Sequence, residues 1–250
     1  NPARYKRTDL IGFIRIHLES KAVMKTIFSI TSDIAGQKSD LDVFFRAAAS
    51  AGFDAVHWCH DWIGEPVRYD DDFIQRVRAL IDRYRLPVAD VHSYDSSPPT
   101  EDALADERRY LEMNLNRIEF ASRIGAGGVV VHLQPRKEDC PEEFFERSLE
   151  KLERMLPAAR AAGVWIAVEN LPNPMHTEAF FDALWERFDA REVGFCYDSG
   201  HAVITRQQHF LGQYIDRLKA THLHDNDGSG DQHLLPGLGR ADWPYIAETI

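Results

Sequence analysis

A (β/α) barrel is the fold class that this sequence predicts, and three observations predict it. From Met24 onward, short runs rich in Val and Ile alternate about seven times with longer amphipathic runs, and no linker interrupts the series. The short runs show little polar–apolar alternation, which is the pattern of strands buried on both faces of a parallel sheet. Residues with metal-binding chemistry fall at the ends of the short runs and almost never at their starts. A barrel collects its reactive groups at the C-terminal ends of its strands.

Each element has a local reason. The apolar, β-branched segment 25–30 reads as the first strand of the series. Ser39 and Asp40 then offer N-caps to the amphipathic run LDVFFRAAASAG, which Gly52 ends. Segments 54–59, 87–92, 127–133, 164–170, 193–198 and 219–224 follow as strands. The intervening segments 71–86, 102–123, 141–162, 177–188 and 208–217 follow as helices. Residues 1–23 are expected to be an extension ahead of a single barrel domain at 24–250. Within that extension Ile14, Ile16 and Leu18 alternate with Arg15, His17 and Glu19, a period of two that suggests one extra strand.

Bulk composition fits one enzyme-sized domain. With 250 residues, 44% hydrophobic and 28% charged, the chain has ample material for one core, and barrels of this size form single units. Forty acidic residues against 29 basic ones give a formal charge of −11, which disfavours nucleic acid or an anionic membrane as partner. Cys59, Cys140 and Cys196 are too few and too scattered for a disulfide framework, so a reducing cytoplasmic setting is expected. No apolar run approaches the roughly 18–20 residues of a membrane span.

The candidate site residues are His92, His132, Glu169, Asp198, His201, His222, Asp231 and His233. Imidazoles and carboxylates are the ligands of a hard or borderline divalent ion, so the set predicts a metalloenzyme using Mn, Mg, Co or Zn. His224 is a reserve ligand, because it shares a strand face with His222 if the strand continues. Asp225 is a candidate to orient His222. His57 and His60 in HWCHDW are expected to pack among aromatics, Trp58, Trp62 and Trp243 to form an apolar wall or core, and His176 and His209 to lie on the surface. Cys196 is expected to pack as a small hydrophobe.

The motifs VEN at 168–170, DSGH at 198–201, HLHD at 222–225 and DQHLLPGLGRADW at 231–243 resemble, in order and spacing, the xylose isomerase-like TIM barrels. That family includes sugar (phosphate) isomerases and epimerases and the endonuclease IV nucleases. The resemblance implies that Glu169, Asp198 and His222 bind a divalent ion as the ligands of the family's fifth, sixth and seventh strands. The endonuclease IV branch adds ligands that match His92, His132, His201 and the pair Asp231 and His233. Two departures stand out. The family's eighth-strand Glu has no counterpart before Ile250, so the barrel is expected to lack its last strand in this chain. Further sequence, a partner chain in a homo-oligomer, or a reversed strand from residues 14–18 would have to close it. Met175 stands where the family's ketose 3-epimerases place a second Glu.

The function implied is a divalent-metal-dependent isomerase or epimerase acting on a sugar or sugar phosphate through an enediolate, with Glu169 and His201 as catalytic residues. The alternatives are an endonuclease IV-like zinc phosphodiesterase and a binding barrel without catalysis. Arg136, Lys137, Arg206 and Arg240 are the basic residues expected at the mouth.

Overall fold

In the structure, a computed structural model, residues 12–15, 26–35, 40–59, 67–95 and 102–250 are described. Eight strands form one sheet in sequence order: β1 (Gly12–Arg15), β2 (Thr26–Thr31), β3 (Ala55–Trp58), β4 (Val88–His92), β5 (Gly128–Val131), β6 (Trp165–Glu169), β7 (Val193–Asp198) and β8 (Leu218–His222). Strands β2 to β8, seven among the described residues, are parallel and curl as successive strands of a TIM barrel do. Strand β1 pairs antiparallel with β2 and lies alongside β8, so the reversed strand runs in the gap between first and last parallel strands. The strand falls at 12–15, two residues before the start of the expected alternating segment, and residues 16–18 lie outside the described residues.

Helices α1 (Leu41–Ala51), α2 (Asp71–Tyr84), α3 (Ala103–Ile124), α4 (Pro141–Ala162) and α5 (Glu178–Arg187) cover the outer face. Their starts follow capping chemistry: Asp40, Asp70, Asp102 and Thr177 accept backbone N–H groups, and Cys140 with Glu143 forms a reciprocal capping box. Helix α6 (Ser199–Thr205) follows β7 directly. The expected helix at 208–217 is instead the short α7 (Phe210–Gln213) followed by a 3-10 turn at Ile215–Arg217. Phe210 and Leu211 are fully buried there, so packing rather than helix length fixes the segment. The last strand of the series stops at His222, two residues short of expectation, because His224 turns away to bond Ser199. Helix α8 (Trp243–Thr249) completes the chain. Among the described residues no helix is long and apolar enough to cross a membrane.

Strand periodicity builds the interior in layers. Val129, Val131, Ile166, Val168, Val193 and Phe195 face outward into the main core beneath the helices. Val130, Ala167, Cys196 and Ala220 face inward and pack together, with Trp165 against them. Trp165 fills the lower end of the barrel so closely that a Cβ on Gly128 would stand 2.2 Å from its ring. Gly128→Ala is therefore expected to cost about 1–3 kcal/mol or more through overpacking, measured as a lowered midpoint in urea unfolding.

Candidate metal centre

Two residues above the small inward layer, on the same strand faces, sit the donors. Val130 leads to His132, Ala167 to Glu169, Cys196 to Asp198 and Ala220 to His222, while Asp90 leads to His92. A period of two thus brings five strand ends into one ring of donor side chains. All eight candidate residues lie around this ring or on the loop above it. His92, His132, Glu169, Asp198 and His201 are buried, and Glu169 is only 1% exposed.

Glu169 is the hub. Its Oε2 lies 3.0 Å from His132 Nε2, 3.1 Å from His222 Nδ1 and 3.8 Å from His92 Nε2, and its Oε1 lies 3.1 Å from His201 Nδ1. Asp198 is the N-cap of α6: its Oδ1 accepts the His201 backbone N–H at 2.7 Å, and its Oδ2 lies 3.0 Å from His224 Nε2. Asn170 ties the ends of β6 and β7, since its side chain accepts from Asp198 N and donates to Asp198 O. Donor atoms lie within 4.8 Å of one another in His92/His132/Glu169, in Glu169/Asp198/His201, in Glu169/Cys196/His222 and in His224/Asp231/His233. Such close grouping of Lewis bases needs positive charge, from protons or from a metal.

Orientation favours the metal. The Nδ1–H of His92 donates to the Ser93 carbonyl at 2.9 Å, and His132 Nδ1 lies 3.2 Å from Asp95. Both arrangements aim Nε2 at Glu169, and a partner on the outer nitrogen is what a metal-bound imidazole uses. His222 Nε2 is a buried polar atom with no hydrogen-bond partner. The donor set is chemically suited to a divalent ion.

Charge in the ring is held by protons when no metal is present. Burial alone would push His132 down, but the Glu169 carboxylate, with Asp95, overcomes it and raises the imidazole to about 9. Burial likewise opposes protonation of His201, and Asp198, Asp231 and Glu169 together raise it to about 11. His92 is lowered by burial and by the neighbouring His132 charge. Burial would raise Glu169, yet the His222 and His132 charges hold it well below the usual range.

Several residues depart from expectation. His176 is not on the surface: it is fully buried, its Nε2–H donates to the Leu133 carbonyl and its Nδ1 accepts from Leu171 N–H. Burial lowers it to about 4, so it is neutral and ties the loop after β6 to the end of β5. Asp225 does not orient His222; it accepts backbone N–H groups of Asn226, Gly237 and Ala241 and the Trp243 indole N–H, and so shapes the 225–241 loop. That loop carries Asp231 and His233, with His233 in left-handed backbone at φ 51°. His57 is buried with its Nδ1 2.6 Å from Asp90, and its ring lies against His222. Trp58 belongs to the core against Tyr69 and Phe73. His60 and Trp62 lie outside the described residues. Arg136 is committed to Glu107 of α3. Asp95 and Asp90 carry no signal in the sequence, because each finds its His only through strand pairing.

Two outcomes follow from these charges. A His lowered from 6.5 to about 4 loses folding stability as pH falls from 6.5 towards 4, because the unfolded chain takes up the proton first. His176 alone is worth up to about 3 kcal/mol over that window, so His176→Gln should flatten the pH dependence of urea stability there. Metal binding near pH 7 must displace the protons on His132 and His201, so affinity should rise with pH. Calorimetric enthalpies should differ between buffers in proportion to about two protons released.

A family profile described as a xylose isomerase-like TIM barrel matches residues 45–250. The uncharacterized protein y4fM of Sinorhizobium fredii is 30% identical over 229 residues, covering 80% of this chain and 73% of that protein. Fructoselysine 3-epimerase of Shigella flexneri is 23% identical over 228 residues, covering 82% of this chain and 78% of its own. Among solved structures, a D-tagatose 3-epimerase-like protein superposes with a TM-score of 0.70 at 22% identity, covering 88% of this chain and 84% of that one. A Thermus thermophilus protein soaked with zinc chloride superposes with a TM-score of 0.61 at 23% identity, covering 87% and 86%. By the profile and the shared fold, the chain belongs to the xylose isomerase-like TIM barrels.

Proposed function

We propose that this protein is a divalent-metal-dependent isomerase or epimerase of a sugar or sugar phosphate. The observation that carries the proposal is the Glu169 carboxylate, buried at a strand end with imidazoles of His132, His201 and His222 within 3.1 Å. A relative named as a fructoselysine 3-epimerase supports the reaction class, and a D-tagatose 3-epimerase-like protein and a 3-keto-D-glucoside 4-epimerase share the fold. The formal charge of −11 agrees with a small polyol rather than nucleic acid as partner. Three free cysteines fit a reducing cytoplasm.

Glu169, Asp198 and His222, with His92 and His132, would hold the ion, and an imidazole-rich set favours Zn, Co or Mn over Mg. A bound divalent ion supplies positive charge beside the oxygens of an open-chain sugar. The carboxylate of Glu169 takes the proton next to the carbonyl and returns it, with His201 Nδ1 at 3.1 Å as its hydrogen-bond partner. Asn170 keeps His201 in place by accepting from the same nitrogen through its carbonyl at 3.0 Å. Met175 packs against the hydrophobic core, so no second carboxylate comes from that loop position.

The nuclease reading retains one specific support, the additional donors His92, His132, His201, Asp231 and His233. The test is elemental analysis followed by incubation with D-fructose, D-tagatose and D-allulose in deuterated water, read by NMR. Exchange of a carbon-bound proton next to the carbonyl is expected, and Glu169→Gln should reduce it by about 10²–10⁴-fold. Absence of exchange together with cleavage of abasic-site DNA would overturn the proposal in favour of the nuclease.

A further inference from the structure

The imidazoles around Glu169 are set by hydrogen bonds, with one exception. His92 and His132 each have a partner on the nitrogen that faces away from Glu169, the Ser93 carbonyl at 2.9 Å and Asp95 at 3.2 Å. His201 is held by the Asn170 carbonyl at 3.0 Å. His222 differs. Its Nδ1 faces Glu169 at 3.1 Å, and its Nε2 is buried without a hydrogen-bond partner. A metal-bound imidazole needs its second nitrogen, or its ring, fixed by something else. Here that something is not a hydrogen bond.

The ring in contact with His222 is that of His57. Their centroids lie 4.6 Å apart with the planes at 60°, and His92 lies 5.8 Å from each of them. His57 stands on β3 and His222 on β8, with β1 and β2 between them in the sheet, so the contact is made across the barrel interior. His57 is itself fixed. Its Nδ1–H donates to Asp90 Oδ1 at 2.6 Å, and Asp90 is wholly buried. The other carboxylate oxygen, Oδ2, has no hydrogen-bond partner. A carboxylate buried on one short bond is a costly way to fill space, since apolar residues of similar volume would stabilise a core as well. A register shift between Val56 and His57 sets His57 opposite Asp90, and irregularities of this kind re-aim side chains beside functional sites.

We propose that His57, fixed by Asp90, is the positioning residue of His222: its ring does the work of the absent hydrogen bond and keeps Nδ1 of His222 turned to the ion. At 4.6 Å the two rings are within the range in which aromatic pairs hold a definite relative orientation. His57 belongs to none of the close donor groups among the described residues, so its part is to orient a ligand and not to be one. The inference rests on the metal reading of the site, and it goes beyond that reading in naming what sets the one ligand that no hydrogen bond sets.

The experiment compares the full chain of wild type with variants of the pair, each first shown by urea unfolding to be folded. His57→Gln removes the ring but leaves an amide to pair with Asp90. Asp90→Asn keeps the ring and an oxygen to accept its N–H. His57→Phe combined with Asp90→Asn restores an aromatic face without stranding a buried carboxylate. In the metal-free protein, NMR of labelled histidine should show one sharp set of His222 ring signals in wild type and in Asp90→Asn. The same signals should broaden or double in His57→Gln. Calorimetric affinity for Co²⁺ should fall by about 10–100-fold in His57→Gln, the cost of losing the group that orients a ligand. The variant with Phe should regain most of that loss. In a His222→Ala background His57→Gln should cost nothing further, because its effect passes through His222. Undisturbed His222 signals in His57→Gln would overturn the proposal whatever the affinity. So would a Phe variant that recovers nothing, which would assign the effect to the His57 nitrogen, or an undiminished loss in the His222→Ala background. A wild type that takes up no ion would sink the proposed function, and the metal-free NMR would still decide whether His57 sets His222.

Discussion

A buried carboxylate at the end of β6 is the constraint to which the rest of this site answers. An isolated ionised carboxylate cannot be taken out of water without compensation, and Glu169 is almost wholly enclosed. Compensation comes from imidazoles on four neighbouring segments, which is why the ends of the strands around β6 must be held in close register. The small residues of the layer below serve that purpose. Val130, Ala167, Cys196 and Ala220 let the strands curl tightly enough for side chains two residues higher to converge. Asn170 fastens β6 to β7 through paired hydrogen bonds, and His176 fastens the loop after β6 to β5. A cavity in either fastening would loosen the charge compensation before it loosened the fold.

The upper part of the site depends on a second buried carboxylate with a different task. Asp225 is fully buried, yet it meets no histidine: four N–H groups of the 225–243 segment converge on it. Burial would raise its pKa, and those donors, Ala241 N–H and the Trp243 indole first, hold it down. The loop is closed further by the Asp225–Leu234 bridge and by Gly239, whose Cβ would stand 2.2 Å from the Asn226 carbonyl. Glycine is required at that position because backbone approaches backbone. The loop therefore returns to the barrel mouth by its own hydrogen bonds, and Asp231 and His233 arrive over His201 and His224 as a result.

Parallel strands, their order and the ring of donors are legible in the sequence because the relevant signals are local and periodic. A Val- and Ile-rich run ending in His, Glu or Asp states both the strand and the end at which its chemistry lies. The pairings are not legible. Asp95 and His132 are 37 residues apart and His57 and Asp90 are 33 apart, and only strand adjacency brings them together. His176 reads as a loop residue by its Pro- and Asn-rich surroundings, and its burial follows from Phe144 and Phe180 closing over it, a tertiary effect. Asp225 follows His222 by only three residues, but the chain leaves the strand at His222 and turns the carboxylate to N–H groups of the following loop.

The division between inner and outer donors bears on which chemistry the barrel can support. Phosphodiester cleavage with several ions needs open positions on more than one of them, to generate hydroxide and to brace the leaving oxygen. An enolising sugar needs only one accessible ion beside two adjacent oxygens and one carboxylate to move the proton. The acidic surroundings point the same way, since Asp95, Asp198 and Asp231 add negative charge around the ring that a phosphate backbone would have to meet. His224, Asp231 and His233 form a donor group of their own above the ring, while His92, His132, Asp198, His201 and His222 gather around the carboxylate at the end of β6.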